Sequence, residues 1–254
     1  MQSTCYCLYL DVLGFKERAR EAMRTASLAA VMRPLHQAIK STDARLRDRA
    51  SWTKKRLWHW RFFTDNLLLW RISQSEDGQF EMGAIIQESS WVQLELAAAG
   101  FFTRGGLAHG ELLWKTNFVV GEPLFAAVEL EKSARYPRVL MAGDVIRKAL
   151  EHAGEWTNIS DAPQGEAFWR GPDDAVFLNY LDLLKDDWLT TEQKTVLLQN
   201  QRDHLAAQLH GNHGEAREKL LWLASYHNAW VDHHQLPAEF RVDLSATLGF
   251  RPLL

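Results

Sequence analysis

Apolar and polar positions change period several times along the chain, and each change marks an element. Cys5-Tyr6-Cys7-Leu8-Tyr9-Leu10 is a compact apolar run ending in Asp11, with Val12-Leu13-Gly14-Phe15 behind it. That order predicts a buried strand and then a glycine-containing turn. From Lys16 to about Arg49, Ala22, Leu28, Val31, Met32, Leu35, Ile39 and Leu46 recur near helical spacing. Pro34 is expected to divide this segment or to start its second helix. Residues 57–63 and 67–72 flank Thr64-Asp65-Asn66, the pattern of a hairpin with Asp65 at or beside its tip. A helix is predicted over 82–99, closed by Gly100. Residues 101–113 and 114–120 read as paired strands, 123–134 as a helix with proline in its first turn, and 138–141 as a short strand.

The order β-α-α-β-β-α-β-β-α-β predicts an α+β fold, an antiparallel sheet with helices packed on it. Beyond about residue 150 the pattern changes. Residues 155–180 are loop-rich with candidate short strands, and two amphipathic helices are expected over 192–210 and 215–234. No Pro/Gly/Ser linker separates the parts. Residues 1–150 are therefore read as the domain carrying the chemistry, and 151–254 as a C-terminal extension packed on it.

Composition alters this picture only in places. With 46% hydrophobic and 24% charged residues the chain is an ordinary globular protein, and its eleven tryptophans are read mostly as core or interface anchors. A net charge of −3 argues against a general nucleic-acid binder. No apolar run approaches membrane-spanning length, and the N-terminus enters a patterned strand at once, so no membrane segment and a cytoplasmic location are expected. The charge is uneven: from Lys16 to Arg61, 13 Lys/Arg stand against 4 Asp/Glu. A solvated helix face explains most of these, and a positive field around a polyphosphate needs only two or three. Cys5 and Cys7 read as reduced core thiols.

Asp11 is costly at the end of an apolar strand unless it caps the next helix or meets a cation. Asp65 is either a turn residue or a second such acid. On neighbouring strands the two acids could hold divalent ions, while the amides of Leu13, Gly14, Phe15 and Lys16 open a helix N-terminus suited to phosphate. Lys16 reads equally as a phosphate contact or a solvated lysine. Arg104 reads equally as a cation for the transition state or a strand arginine paired with a helix acid. Strand alternation places His59 and Arg61 on one face, toward a nucleotide, and Trp58 and Trp60 on the other, in the core. His204, His210, His213, His227, His233 and His234 match no standard zinc spacing and read as exposed helix histidines. Lys219, Trp222, Tyr226 and Asn228, at helical spacing, read as core first and as a lid or dimer contact second.

In order and spacing these motifs resemble the catalytic domain of class III nucleotidyl cyclases over about the first 145 residues. Asp11-Val12-Leu13-Gly14-Phe15 is similar to that family's first metal motif, and Phe63-Thr64-Asp65 to the hairpin bearing its second metal acid. Arg104-Gly105-Gly106-Leu107-Ala108-His109-Gly110 resembles its R-x-G-I-H-x-G strand, and Gly121 through Lys132 its G-x-x-V-N-x-A-x-R-L-E helix. The resemblance implies a ferredoxin-like fold acting as a homodimer. It implies two divalent metal ions, Mn²⁺ or Mg²⁺, held by Asp11, the Val12 carbonyl and Asp65, with Asp11 and Asp65 as catalytic acids. The cation to balance charge in the transition state is then sought in Arg104.

Four positions depart from that pattern. The family's transition-state Asn and Arg fall on Phe125 and Glu129, and its purine-selecting Asp and Lys fall on Phe118 and Arg61. The chain looks closer to the pyrimidine cyclases of bacterial Pycsar anti-phage defence. Gly121-Glu122-Pro123-Leu124, Glu129-Leu130-Glu131-Lys132, Tyr136-Pro137-Arg138-Val139 and the stretch from Lys219 to Asn228 resemble that group. This implies conversion of UTP, or less favoured CTP, to the cyclic monophosphate and pyrophosphate, as a messenger for a cyclic-nucleotide-binding effector. The alternatives are a catalytically inactive nucleotide sensor or scaffold on the same fold, and a palm-type transferase making an oligonucleotide.

Overall fold

The first apolar run forms β1 (Gln2–Val12), an inner strand of a sheet that has nine strands among the described residues. The structure is a computed structural model, and it describes residues 1–25, 27–51, 57–75, 78–155, 162–245 and 248–253. After β1 come α1 (Phe15–Arg24), α2 (Leu28–Ser51), the hairpin of β2 (Trp58–Phe63) and β3 (Asn66–Ile72), and α3 (Gln79–Ala98). The hairpin of β4 (Thr103–Lys115) and β5 (Phe118–Gly121) follows, then α4 (Glu122–Ser133), β6 (Val139–Met141) and α5 (Gly143–Ala153). The sheet order β2-β3-β1-β4 makes β1 through β4 a β-α-β-β-α-β ferredoxin-like unit, antiparallel throughout.

Residues beyond 150 extend the same sheet. They form α6 (Pro163–Ala167), β7 (Phe168–Arg170), β8 (Val176–Leu178), a 3-10 helix (Tyr180–Lys185), α7 (Thr191–Gly211), α8 (Gly214–His233), a second 3-10 helix (Ala238–Phe240) and β9 (Arg251–Pro252). The order continues β4-β6-β8-β7-β9, with β4 and β6 parallel. Part of the segment expected to be loop-rich, 156–161, lies outside the described residues.

Two expectations about helices need correction. Pro34 neither divides nor starts a helix: it lies within α2, and the break falls earlier, around Thr25 to Ser27. There the Thr25 hydroxyl bonds the carbonyls of Glu21 and Ala22, and the Ser27 amide returns to Ala22, which closes α1. Pro34 faces solvent, so the carbonyl that loses its helical bond lies toward water. α5 crosses residue 150 without having been expected, although Val145, Ala149 and Ala153 recur at a spacing of four and are fully buried.

Strand alternation divides the core. Tyr6, Leu8, Leu10 and Val12 face α2 and α3 with Leu67 and Leu69 from β3. Cys5 and Cys7 face the other way with Leu68, Trp70, Leu112 and Trp114. Both thiols are free, and burial raises the Cys5 pKa to about 12. A further core joins α3 and α4 to α7 and α8 through Trp169, Phe177, Trp222 and Tyr226. Trp222, Tyr226 and Asn228 are core, and Lys219 pairs with Glu215 at 2.8 Å.

The basic stretch contributes to folding in a way that the sequence left open. Arg45 and Arg49 of α2 converge on Glu88 of α3, which is fully buried, and Arg45 also reaches Glu95 at 2.7 Å. Arg18 donates to the Gly100 carbonyl at 2.7 Å and lies 4.1 Å over the Phe101 ring. Arg45 and Arg49 thus tie α2 to α3, and Arg18 ties α1 to the segment between α3 and β4.

Candidate active site

Asp11 is the next-to-last residue of β1, and the two neighbouring strands bring it company. In register it faces Asn66 of β3 on one side and Arg104 of β4 on the other. Asp65 is the second residue of the two-residue β2–β3 turn, which Thr64 enters at φ 53°. The Val12 amide donates to the Asp65 carbonyl at 3.0 Å, which fastens the hairpin tip beside the end of β1. The two acids predicted from separate strand ends are therefore neighbours.

Two residues not singled out by sequence complete the cluster. Asn66 donates to Asp65 Oδ1 at 3.0 Å and accepts a hydrogen bond from the Tyr9 hydroxyl, while Thr64 donates to the same Asp65 oxygen at 2.7 Å. Glu131, buried on α4, receives Arg104 Nε at 2.5 Å, and the same nitrogen is 3.5 Å from Asp11. Two carboxylates thus share one guanidinium, with Asp65 close enough to Asp11 to repel it. Burial, with repulsion from Glu131 and Asp65 only partly offset by Arg104, pushes the Asp11 pKa up to about 6. Tyr9 is also raised, by burial and then by the same acids. Arg104 is paired with a helix acid, Glu131, as in the second of its two readings. Glu131 sits one helical turn beyond Ala127, whose carbonyl faces Gly106 of β4.

That close packing depends on Gly106. A Cβ there would lie 2.2 Å from the Ala127 carbonyl oxygen and 2.6 Å from the Leu130 Cβ, so only glycine lets α4 approach β4 at this point. Gly106→Ala is expected to cost about 2 kcal/mol by overpacking and to lower Tm by roughly 5 °C. In Gly83→Ala the new methyl meets nothing within 4 Å inside α3, and a slight gain in Tm is expected. Thermal melts of the two variants check the contrast; equal small shifts would contradict the packing argument.

The remaining predicted residues are distributed as follows. The Leu13 amide is engaged by the Phe102 carbonyl at 2.8 Å, so it is not offered to a phosphate as expected. Gly14 takes φ 69° at the N-cap of α1, followed by half-buried Phe15 and exposed Lys16. The Val12 side chain is buried on the opposite face of the sheet from Asp11. His59 stacks on Trp70 at 5.2 Å and tilts against Trp114, within an aromatic layer. Arg61 shares its face and goes further: it donates to the Thr116 carbonyl at 3.0 Å and lines a cavity of about 760 Å³. Trp58 is core, and Trp60 is half-buried with its indole donating to Asp43 at 2.9 Å.

The cavity lies between β2–β3, the β4–β5 hairpin and α4. Its walls include Tyr9, two residues before Asp11, and all four positions that depart from the cyclase pattern: Arg61, Phe118, Phe125 and Glu129. Phe118 and Phe125 are half exposed at its rim.

No known family profile matches the chain, and no curated protein matches it. Solved structures do. A class III adenylyl cyclase-like ATP-binding protein from Pseudomonas aeruginosa superimposes with a TM-score of 0.45 and 11% identity over 60% of this chain and 36% of its own. The guanylyl cyclase Cya2 gives 0.41 and 12% over 58% of this chain and 79% of its own. The chain therefore spans little more than a third of the Pseudomonas protein. No helix among the described residues is long and apolar enough to cross a membrane.

The histidines of the C-terminal half are not uniformly exposed, contrary to expectation. His227 is fully buried between Gln201 and the Phe240 carbonyl, and burial lowers its pKa to about 4. His233 and His234 approach Glu166.

Proposed function

We propose that the chain is a nucleotidyl cyclase converting UTP, or CTP, to the 3′,5′-cyclic monophosphate and pyrophosphate. The observation that carries this reading is that Tyr9 lies in the cavity wall while Asp11, on the same face of the same strand, meets Asp65 at the strand end. A nucleotide with its base in the cavity would direct its phosphates to the acids. Arg61 offers donors to a pyrimidine carbonyl, and Phe118 and Phe125 offer apolar surface to a small ring. O2 is common to uracil and cytosine, so Arg61 alone does not separate them.

The donor set fits two divalent ions, Mn²⁺ or Mg²⁺. Asp11, Asp65 and Glu131 are under-compensated by Arg104 alone, and hard cations take such oxygens. Ions bound there would lower the pKa of the ribose 3′-hydroxyl and neutralise the departing pyrophosphate. The chain's own groups orient the parts. Asn66 and Thr64 hold the Asp65 carboxylate, and Arg104 bridges Asp11 and Glu131. The 3′-oxygen attacks the α-phosphorus in line, the bond to the β-phosphate bridging oxygen breaks, and the hydroxyl proton passes to solvent. The cyclic product would then serve as a diffusible messenger for an anti-phage effector, with a homodimer as the working unit.

Incubation with each of the four ribonucleoside triphosphates and Mn²⁺ or Mg²⁺, followed by mass analysis, tests the reading. Cyclic UMP or cyclic CMP is expected, and a purine product or a product with two bases would refute it. Phe125 and Glu129, standing where a cyclase carries its transition-state Asn and Arg, favour a second reading as a non-catalytic nucleotide sensor. Saturable binding of UTP with no turnover of any triphosphate would select that one.

A further inference from the structure

Far along the chain from Asp11, the end of α8 and the short helix α6 bring two imidazoles and a carboxylate together. His233 Nε2 lies 3.2 Å from Glu166 Oε1. One ligand atom each from Glu166, His233 and His234 falls within 4.8 Å of the others. Consecutive residues of a regular helix point about 100° apart. Here the helix stops at His233, His234 leaves it at φ −91° and ψ 8°, and Gln235 turns the chain at φ 52°. That exit lets the two rings meet at 4.8 Å, almost perpendicular.

An ordinary ion pair accounts for only part of the cluster. It occupies His233 and one oxygen of Glu166. The buried Nε2 of His234 has no hydrogen-bond partner, and neither has the buried Oε2 of Glu166. Lys185 stands 4.0 Å from that oxygen but is held by Asp182 at 2.7 Å. Burial, with His233 and Lys185 adding to it and Glu166 opposing, lowers the His234 pKa. The C-terminal end of a helix also carries the partial negative charge that favours a cation.

We propose that Glu166, His233 and His234 form a binding site for a divalent ion of the zinc class. Two imidazoles and one carboxylate are a donor set that zinc accepts, and water fills the fourth position. The ion would fasten the end of α8 to α6, and through α6 to β7, the strand that follows it directly. The site is independent of the acids at Asp11 and Asp65 and of the reaction proposed for them.

The test uses the full chain without an added histidine tag, stripped with chelator, in the Asp11→Asn background so that the strand-end acids contribute little. Titration calorimetry is expected to show one Zn²⁺ per chain, and saturating Zn²⁺ to raise Tm by about 5 °C. Co²⁺ in its place should give the strong visible absorption of a four-coordinate site. His234→Ala should weaken binding by at least about tenfold and abolish the Tm shift. Glu166→Gln, which keeps the side-chain shape, should do the same without altering the far-UV spectrum of the metal-free chain. A chain that takes up no Zn²⁺, or that binds it equally well after either substitution, would overturn the proposal.

Discussion

At pH 7.5 in metal-free buffer, Asp11→Asn should melt a few degrees above the unaltered chain, while the proposed cyclisation with Mn²⁺ falls about a thousandfold. The first effect follows from the raised pKa. In the folded chain the Asp11 carboxyl titrates near 6 instead of its ordinary 3.8, with burial as the leading cause. Between those values the native state binds more protons than the unfolded one, so stability falls as pH rises through the window and stays lowered above it. An amide removes that cost above pH 6 and brings no gain below about pH 4, where both forms are neutral. A two-unit shift corresponds to at most about 3 kcal/mol. Residual solvent contact and the lost attraction to Arg104 reduce the gain to about 1–2 kcal/mol, or roughly 3–5 °C. The activity loss reflects several kcal/mol of transition-state stabilisation that depends on metal held at this carboxylate. Melting curves at pH 4 and 7.5, together with single-turnover assays, check both. A variant that still cyclises, or that is less stable at pH 7.5, would remove Asp11 from the proposed role.

Asp11 and Asp65 were legible because each stands where a strand's alternating pattern ends, and such ends are where sheets present groups to ligands. Their adjacency required the register Asp11↔Asn66, which no local pattern gives. Glu131 and Asn66 were harder to see, because each acts on another residue: one on Arg104, the other on Asp65. Arg104 had two roles open, and only the position of α4 over Gly106 decides that its partner is a helix acid. The early strands and helices could be read from periodicity, since β1 and β3 alternate between two buried faces. β7 and β8 were expected only as short strands without bounds, and β9 not at all. They have three, three and two residues, too short for a period to declare itself. The sequence put His59 on the same face as Arg61, but its ring packs against Trp70 and Trp114 and does not line the cavity. Sharing a face does not fix which side chains reach a ligand.

Glu88→Ala is expected to lower stability by about 3–5 kcal/mol, a drop in Tm of about 10 °C or more, without touching any residue near the cavity. Glu88 is fully buried on α3, and both Arg45 and Arg49 of α2 point their Nε atoms at it. Removing the acid leaves two guanidinium groups, each largely buried, with Glu95 to compensate only one of them. Replacing all three by leucine should recover most of the loss, because the cost lies in stranding a charge and not in lacking one. The alternative for this basic stretch, a field that gathers polyphosphate, makes the opposite prediction. Under it Glu88→Ala would free two cations, leave Tm nearly unchanged and strengthen triphosphate binding. Thermal melts of the single and triple variants, with nucleotide titrations alongside, separate the two. The buried acid at the centre of the cluster argues for the first, since a helix that had evolved to present positive charge would not neutralise it from inside the core.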